Sequence, residues 1–121
     1  IYKRTELFRK VQSWFNKFDF IVTPTLSRTA LETGNDLYDP VIVEGIEAGI
    51  VRKTWYPYTH PFNLTGHPAI TLPSGFHSDG LPTGLQIIGP YASDYEVLRC
   101  GRIFEITQPW VDKIPSVPNL P

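Results

Sequence analysis

Apolar positions near the start of the chain recur with the spacing of a single helical stripe. Leu7, Phe8, Val11, Trp14, Phe15 and Phe18 stand 1, 3, 3, 1 and 3 residues apart, which predicts an amphipathic helix opening near Thr5 and Glu6. Arg9, Lys10, Gln12, Ser13, Asn16 and Lys17 cover the other face. So many rings on one stripe need a partner surface. From Phe18 to Thr25 the pattern changes: Phe20, Ile21 and Val22 favour β structure and Pro24 ends the ladder, which predicts a short buried strand.

Ser27 to Asp39 is polar, carries Gly34 and Asn35, and reads as loop. Asp39-Pro40 has the form of a cap and first helical position, so Val41 to Arg52 is expected to be a helix, weakened by Gly45 and Gly49. Trp55 to Pro61 is aromatic, punctuated by proline and expected to be irregular; Phe62 to Leu64 form one helical turn closed by Gly66. Two runs then alternate as strands, Ala69 to Leu72 and Thr83 to Ile88, around the turn His77-Ser78-Asp79-Gly80. They predict an antiparallel hairpin, with Pro73 and Pro82 at strand ends, an edge or a bulge because neither can donate to a ladder. Ser93-Asp94-Tyr95-Glu96 has the capping-box pattern and opens a helix with Val97, Leu98, Gly101 and Phe104 on one face. Pro109 ends that helix, and a proline-rich, extended tail runs to Pro121. Flanking helices around a hairpin make an α/β arrangement.

Composition narrows the classes. At 121 residues, with 41% hydrophobic and 19% charged side chains, the chain has the make-up of one ordinary domain rather than a disordered segment. Eleven basic and twelve acidic side chains leave a net charge of -1, so no electrostatic footprint for nucleic acid is present. Apolar runs such as Phe20-Ile21-Val22 are far shorter than the ~20 residues of a membrane-spanning helix. The single cysteine, Cys100, forbids an internal disulfide and fits a reducing, cytoplasmic compartment. The chain contains no methionine and helical periodicity starts almost at once, so it is expected to be a piece of a longer protein.

Candidate chemistry is sparse. His60, His67 and His77 are seven and ten residues apart, match no common metal-ligand spacing, and lie in turn-rich segments. Ser74, His77 and Asp79 hold the residue types of a hydrolase triad but are crowded along one turn, and Pro73-Ser74-Gly75 is no nucleophile elbow. Cys100 sits mid-helix as a small core filler. Glu44 and Glu47 belong to a solvated helix face, and Gly80, Gly84 and Gly89 lack phosphate-loop spacing. The aromatic group Trp55, Tyr56, Tyr58 and Phe62 either lines a ligand pocket or forms core beneath a loop. No self-sufficient catalytic site is expected in this chain.

Phe18-Asp19-Phe20-Ile21-Val22-Thr23-Pro24-Thr25, Tyr58 through Pro73 and Asp79 through Pro90 are three blocks that occur in this order. Together they resemble the amidase signature family, the first being similar to its D-x-(apolar)-x-T-P-T strand. Tyr58 through Pro73 resembles its P-x-N-L-(small)-G-x-P-A segment, and Asp79 through Pro90 its D-G-L-P-x-G-L-Q strand. Phe104 through Pro109-Trp110 is similar to the family's closing helix. The resemblance implies the C-terminal part of a mixed-sheet amidase fold, residues 1–121 forming the C-terminal segment of an amidase domain whose catalytic N-terminal part is absent.

By the same resemblance, the enzyme cleaves small carboxylic amides through a Ser–cis-Ser–Lys acyl-enzyme mechanism without a cofactor. No Gly-Ser-Ser cluster occurs here and Lys3, Lys10, Lys17, Lys53 and Lys113 stand in no matching context, so no catalytic residue is carried over. The implied partners are the amide substrate and the upstream part of the same protein, with a homo-oligomer as an open option. The loop after Thr25 and the segment with Tyr56, Tyr58, Thr59, Phe62 and Asn63 are expected to face the acyl group. Tyr56 stands where glutamine-using members carry an acidic residue, which favours less polar or aromatic amides. Two other classes stay open: a stand-alone binding module using the Trp55–Phe62 aromatics, and an oligomerisation fragment burying the Leu7–Phe18 stripe.

Overall fold

A computed structural model describes residues 2–113. The elements in order are α1 (Tyr2–Trp14), β1 (Ile21–Pro24), β2 (Pro40–Val43), β3 (Ile46–Ile50), α2 (Val51–Thr54), α3 (His60–Thr65), β4 (Ala69–Phe76), β5 (Pro82–Ile88) and α4 (Asp94–Thr107). One sheet has the order β1-β5-β4, and a second pairs β2 with β3. All these pairings are antiparallel. The mixed α/β expectation and the hairpin therefore hold. The extended-tail expectation falls from residue 114 onward outside the described residues; just before it, Trp110 to Lys113 close a turn through Lys113 N–H to Trp110 O, 2.9 Å.

At its apolar end the three-stranded sheet is covered on both faces. Along its strands side chains alternate, so Ile21 and Ile88 point to one face while Ile70 and Leu72 point to the other. On the first face Ile88 and Phe62 meet Val11 of α1, with Leu7, Phe15 and Ile21 packed around them. On the second, α4 comes close because Gly101 has no side chain: a Cβ there would stand 2.9 Å from Ile70 Cδ1. The hairpin is longer than its two apolar runs predicted. Pro82 pairs with Phe76 at its end, and the register shifts between Pro73 and Gly75, which puts both prolines at permitted positions. Gly66 adopts φ 75 and donates to Phe62 O at 2.7 Å, closing α3 as predicted.

Several expectations are corrected. The predicted helix over Val41 to Arg52 is instead the β2–β3 hairpin followed by the single-turn helix α2. Its tip, Glu44 (φ 50) and Gly45 (φ 79), has both central residues left-handed, the conformation a tight hairpin demands. Val41, Ile42 and Val43 are β-branched, and Asp39 turns its Oδ2 to the Asp36 N–H at 2.6 Å rather than capping a helix. Glu44 and Glu47 are exposed, but on the hairpin.

Helix α1 begins by Tyr2, ahead of Thr5, and Trp14 and Phe18 of the predicted stripe are exposed. Strand β1 starts at Ile21 and is half-buried, with Val22 exposed, and among the described residues it pairs with β5 alone. The capping box does not form: Ser93 Oγ donates to Pro90 O at 2.7 Å, in the turn ahead of α4, and Glu96 pairs with Arg99. Leu98 points outward while Val97 and Gly101 are buried. Among the described residues no helix is long and apolar enough to cross a membrane.

Candidate functional site

A cleft of about 990 Å3 opens between the three-stranded sheet and the β2–β3 hairpin. Its floor is the end of the sheet where side chains turn from apolar to hydroxylated. Thr23 pairs with Gln86 and Gln86 with Thr71, so three polar side chains cross the sheet in one row. Buried Gln86 donates through Nε2 to Thr23 Oγ1 and to Tyr58 O, both at 3.0 Å. One step further, Thr25 Oγ1 approaches Thr71 Oγ1 at 3.4 Å directly over Gly84, where a Cβ would stand 2.8 Å from the Thr25 hydroxyl. Glycine at position 84 keeps this part of the floor open.

The walls come from the loop after β1, the tip of the β2–β3 hairpin, Trp55, and the β4–β5 turn. The loop is tied on several sides. Ser27 Oγ donates to Thr54 O at 2.5 Å, and Arg28 Nη1 to Ile42 O at 3.1 Å. Thr29, which is buried, donates through Oγ1 to Asp79 Oδ2 at 3.0 Å. Asp79 also accepts from Leu81 N–H at 2.9 Å and lies 3.1 Å from His77 Nδ1. The Leu81 N–H foremost, then the Thr29 hydroxyl and His77, hold the Asp79 carboxyl below the usual aspartate range, so it is ionised at neutral pH. Trp55 Nε1 is buried and has no acceptor among the described residues.

The five residues proposed from sequence lie beside this cleft rather than on its lining. Tyr56 packs its ring on His60, 4.7 Å between centroids, and on Trp55, 6.1 Å. Tyr58 offers its carbonyl to Gln86, and Thr59 donates its hydroxyl to Tyr56 O at 3.1 Å. Phe62 belongs to the core with Val11 and Ile88, and Asn63 is exposed on α3. Trp55 is the member of the aromatic group that reaches the cleft. Sequence reasoning passed over the hydroxyls of Thr23, Thr25 and Thr71 on the cleft floor. The period-two placement of Thr23 in β1 and Thr25 just after it is the one local signal, since the cross-strand partners are set by register.

The triad residue types on the β4–β5 turn do not assemble. Ser74, His77 and Asp79 all line the cleft, but Ser74 Oγ bonds to Thr83 Oγ1 at 3.1 Å while His77 Nδ1 stands 3.1 Å from Asp79 Oδ2. The three histidines stay apart. His67 is buried between Phe8 and Phe15, with Nε2 3.0 Å from Gln12 Oε1 and Nδ1 2.8 Å from Thr65 Oγ1. Gln12 Oε1 also accepts the Tyr91 N–H at 3.1 Å, which assigns the His67 Nε2 proton as donor. Burial lowers the His67 pKa. Among the described residues no three His, Cys, Asp or Glu side chains gather as a metal site. Cys100 lines a second, smaller cavity of about 520 Å3 between the segment Phe15 to Phe20 and α4.

Comparison with known proteins places this geometry. The Amidase family model matches residues 1–98. The chain is 34% identical over 113 residues to an acylamidase of Rhodococcus erythropolis, covering 93% of this chain and 23% of that protein. It is 33% identical over 114 residues to the 6-aminohexanoate-cyclic-dimer hydrolase of Paenarthrobacter ureafaciens, covering 91% of this chain and 23% of the relative. The crystal structure of a bacterial aryl acylamidase of the amidase signature family superposes with a TM-score of 0.72 at 32% identity, over 88% of this chain and 22% of that one. The chain thus spans less than a quarter of the length of these relatives. With its strand, helix and hairpin blocks in the same order and the same fold, the chain belongs to the amidase signature family.

Proposed function

We propose that this chain is the C-terminal portion of an amidase that hydrolyses carboxylic amides to an acid and ammonia or an amine. In this reading it contributes sheet scaffold and one wall of the acyl-binding pocket, while a Ser–cis-Ser–Lys triad comes from the rest of the protein. One observation carries the reading: in a substrate-sized cleft of an amidase-family chain, neither of the serines that line it, Ser27 and Ser74, is bonded to a base. Ser74 is bonded to Thr83, Ser27 to the carbonyls of Thr54 and Trp55, and no lysine lines the cleft. A hydroxyl without a neighbouring base is a weak nucleophile. These groups therefore bind and orient, and the attacking serine and its proton acceptor are brought from outside residues 1–121. That serine adds to the amide carbonyl, the C–N bond breaks as the amine leaves protonated, and water releases the acid from the ester.

The substrate side follows from Tyr56, Tyr58, Thr59, Phe62 and Asn63. Phe62 anchors α3 in the core, which fixes the segment Tyr56 to Thr59 beside Trp55 at the cleft edge. The Tyr56 ring, packed edge-on against Trp55 and His60 beside the cleft, stands where a carboxylate would hold an ammonium group. Aromatic and other less polar acyl amides are the substrates this wall suits. The Trp55 Nε1 proton, buried without an acceptor, is a donor for an oxygen of substrate or of further chain. The cytoplasm is the compartment this reading implies, resting on the lone Cys100.

The test is an amide-hydrolysis panel with the full-length protein that carries this chain. Aryl amides should turn over faster than amides bearing an ammonium group. Tyr56→Asp should shift that preference by roughly tenfold, the scale of one charge interaction. Failure to hydrolyse any carboxylic amide would reject the proposal.

A further inference from the structure

The β2–β3 hairpin and α2 form a lobe that shares no strand pairing with the three-stranded sheet. The loop after β1 spans the gap between them. On the lobe side Ser27 is bonded to Thr54 O and Trp55 O, and Arg28 to Ile42 O. On the sheet side the backbone of Thr25 is bonded to Gly84 O, and the Thr29 hydroxyl to Asp79 Oδ2. The Thr29–Asp79 bond joins residues 50 apart in sequence and is partly buried, whereas the rest of the β4–β5 turn is bonded within itself. It lies on the rim of the cleft, which Thr29, Asp79, the hairpin tip Ile42–Glu44 and Gly84 all line.

We propose that Asp79 is a positioning residue for amide binding: through Thr29 it fixes the loop after β1, and through that loop the distance between the β2–β3 hairpin and the sheet, so that the β4–β5 turn sets how large an acyl group the cleft admits. This rests on the amidase reading above. An aspartate suits the task because a single carboxylate can accept from the Leu81 N–H with one oxygen, which fixes its own rotamer, and from Thr29 with the other. Asp79 touches no reacting atom in this scheme. It acts on substrate only through the Thr29 loop, so its loss loosens the cleft without removing any group that performs chemistry.

The experiment compares wild type, Asp79→Asn, Thr29→Val and Thr29→Ser in the full-length protein, with amides of graded acyl size. Asp79→Asn and Thr29→Val should each raise KM for the smallest aryl amide by about tenfold, the scale of one charge-assisted hydrogen bond, and leave kcat within about twofold. The preference for small over bulky acyl groups should fall with it. Thr29→Ser keeps the hydroxyl and should behave as wild type. Hydrogen exchange provides a readout that needs no activity: the amides of residues 26–30 should exchange faster in Asp79→Asn and Thr29→Val, with α4 unchanged. Faster exchange together with a wild type that hydrolyses no amide would reject the amidase reading and leave the structural link intact. Unchanged exchange in residues 26–30, or an unchanged KM in a variant whose wild type is active, would overturn the proposal.

Discussion

The two sheets of this chain are built from similarly apolar sequence and meet opposite fates. In the three-stranded sheet Ile87 and Ile88 are shut away beneath helices, and Ile88 has no exposed surface at all. In the two-stranded sheet Ile46 is 72% exposed and Ile42 and Val43 are exposed as well, with Val41 alone fully buried. The first sheet is covered on both faces at its apolar end and held there by side-chain packing, while its hydroxylated end is open as the cleft floor. The second is held by a turn and by hydrogen bonds from a loop. An apolar residue therefore contributes to stability here according to which helix covers it. The uncovered sheet is also the one that walls the cleft, where room for a ligand and dense packing exclude each other.

Substitutions can break that contrast. Ile88→Ala should destabilise the chain by about 2–5 kcal/mol, since it opens a cavity under α1 and α3, whereas Ile46→Ala should change stability by no more than ~0.5 kcal/mol. Urea unfolding reads both, and comparable losses would mean that the hairpin is as well packed as the sheet. Next in size is Gly89→Ala. A Cβ there would stand 2.5 Å from both Ser93 Oγ and Val97 Cγ2, so α4 must move away from the sheet at a cost of about 1–3 kcal/mol. Gly45→Ala should cost about 1 kcal/mol through its positive φ alone, because a Cβ at that site meets no atom within 4 Å. Its exchange effect should stay within the β2–β3 hairpin.

The smallest effect is a pH dependence confined to the covered side. Burial lowers the His67 pKa from 6.5 in the folded state, so the unfolded chain binds the proton first as pH falls. His67 thus favours folding fully above pH 6.5 and progressively less below it, until the folded ring is itself protonated. His67→Asn should flatten the slope of the urea midpoint between about pH 7.5 and 5. A slope identical to wild type would assign the acid sensitivity to another group.

Legibility in the sequence follows the same division. Alternation in Ala69 to Leu72 and Thr83 to Ile88, with Asp79-Gly80 between them, specified the central hairpin because its periodicity, turn chemistry and burial agree. Val41 to Arg52 was misread because Asp39-Pro40 has the form of a helix start, while the features that decide the matter are the left-handed pair Glu44-Gly45 and the β-branched run before it. Ser93 to Glu96 shows the converse: the helix forms where expected, but the hydroxyl that should cap it is taken by Pro90 O in the preceding turn. The family blocks were readable as text. The hydroxyl floor of the cleft was not, since Thr71, Gln86 and Thr23 become neighbours only through strand register. The Thr29–Asp79 bond, spanning 50 residues between two loops, left no periodic trace.

In the function proposed above, residues 1–121 shape an amide-binding wall and the attacking serine lies elsewhere in the protein. Covalent labelling of the full-length enzyme with a serine-reactive fluorophosphonate, followed by peptide mass spectrometry, tests it directly. Loss of amide hydrolysis should run in step with one modified serine outside this chain; modification of Ser27, Ser74 or any other serine within residues 1–121 in step with that loss would overturn the proposed function.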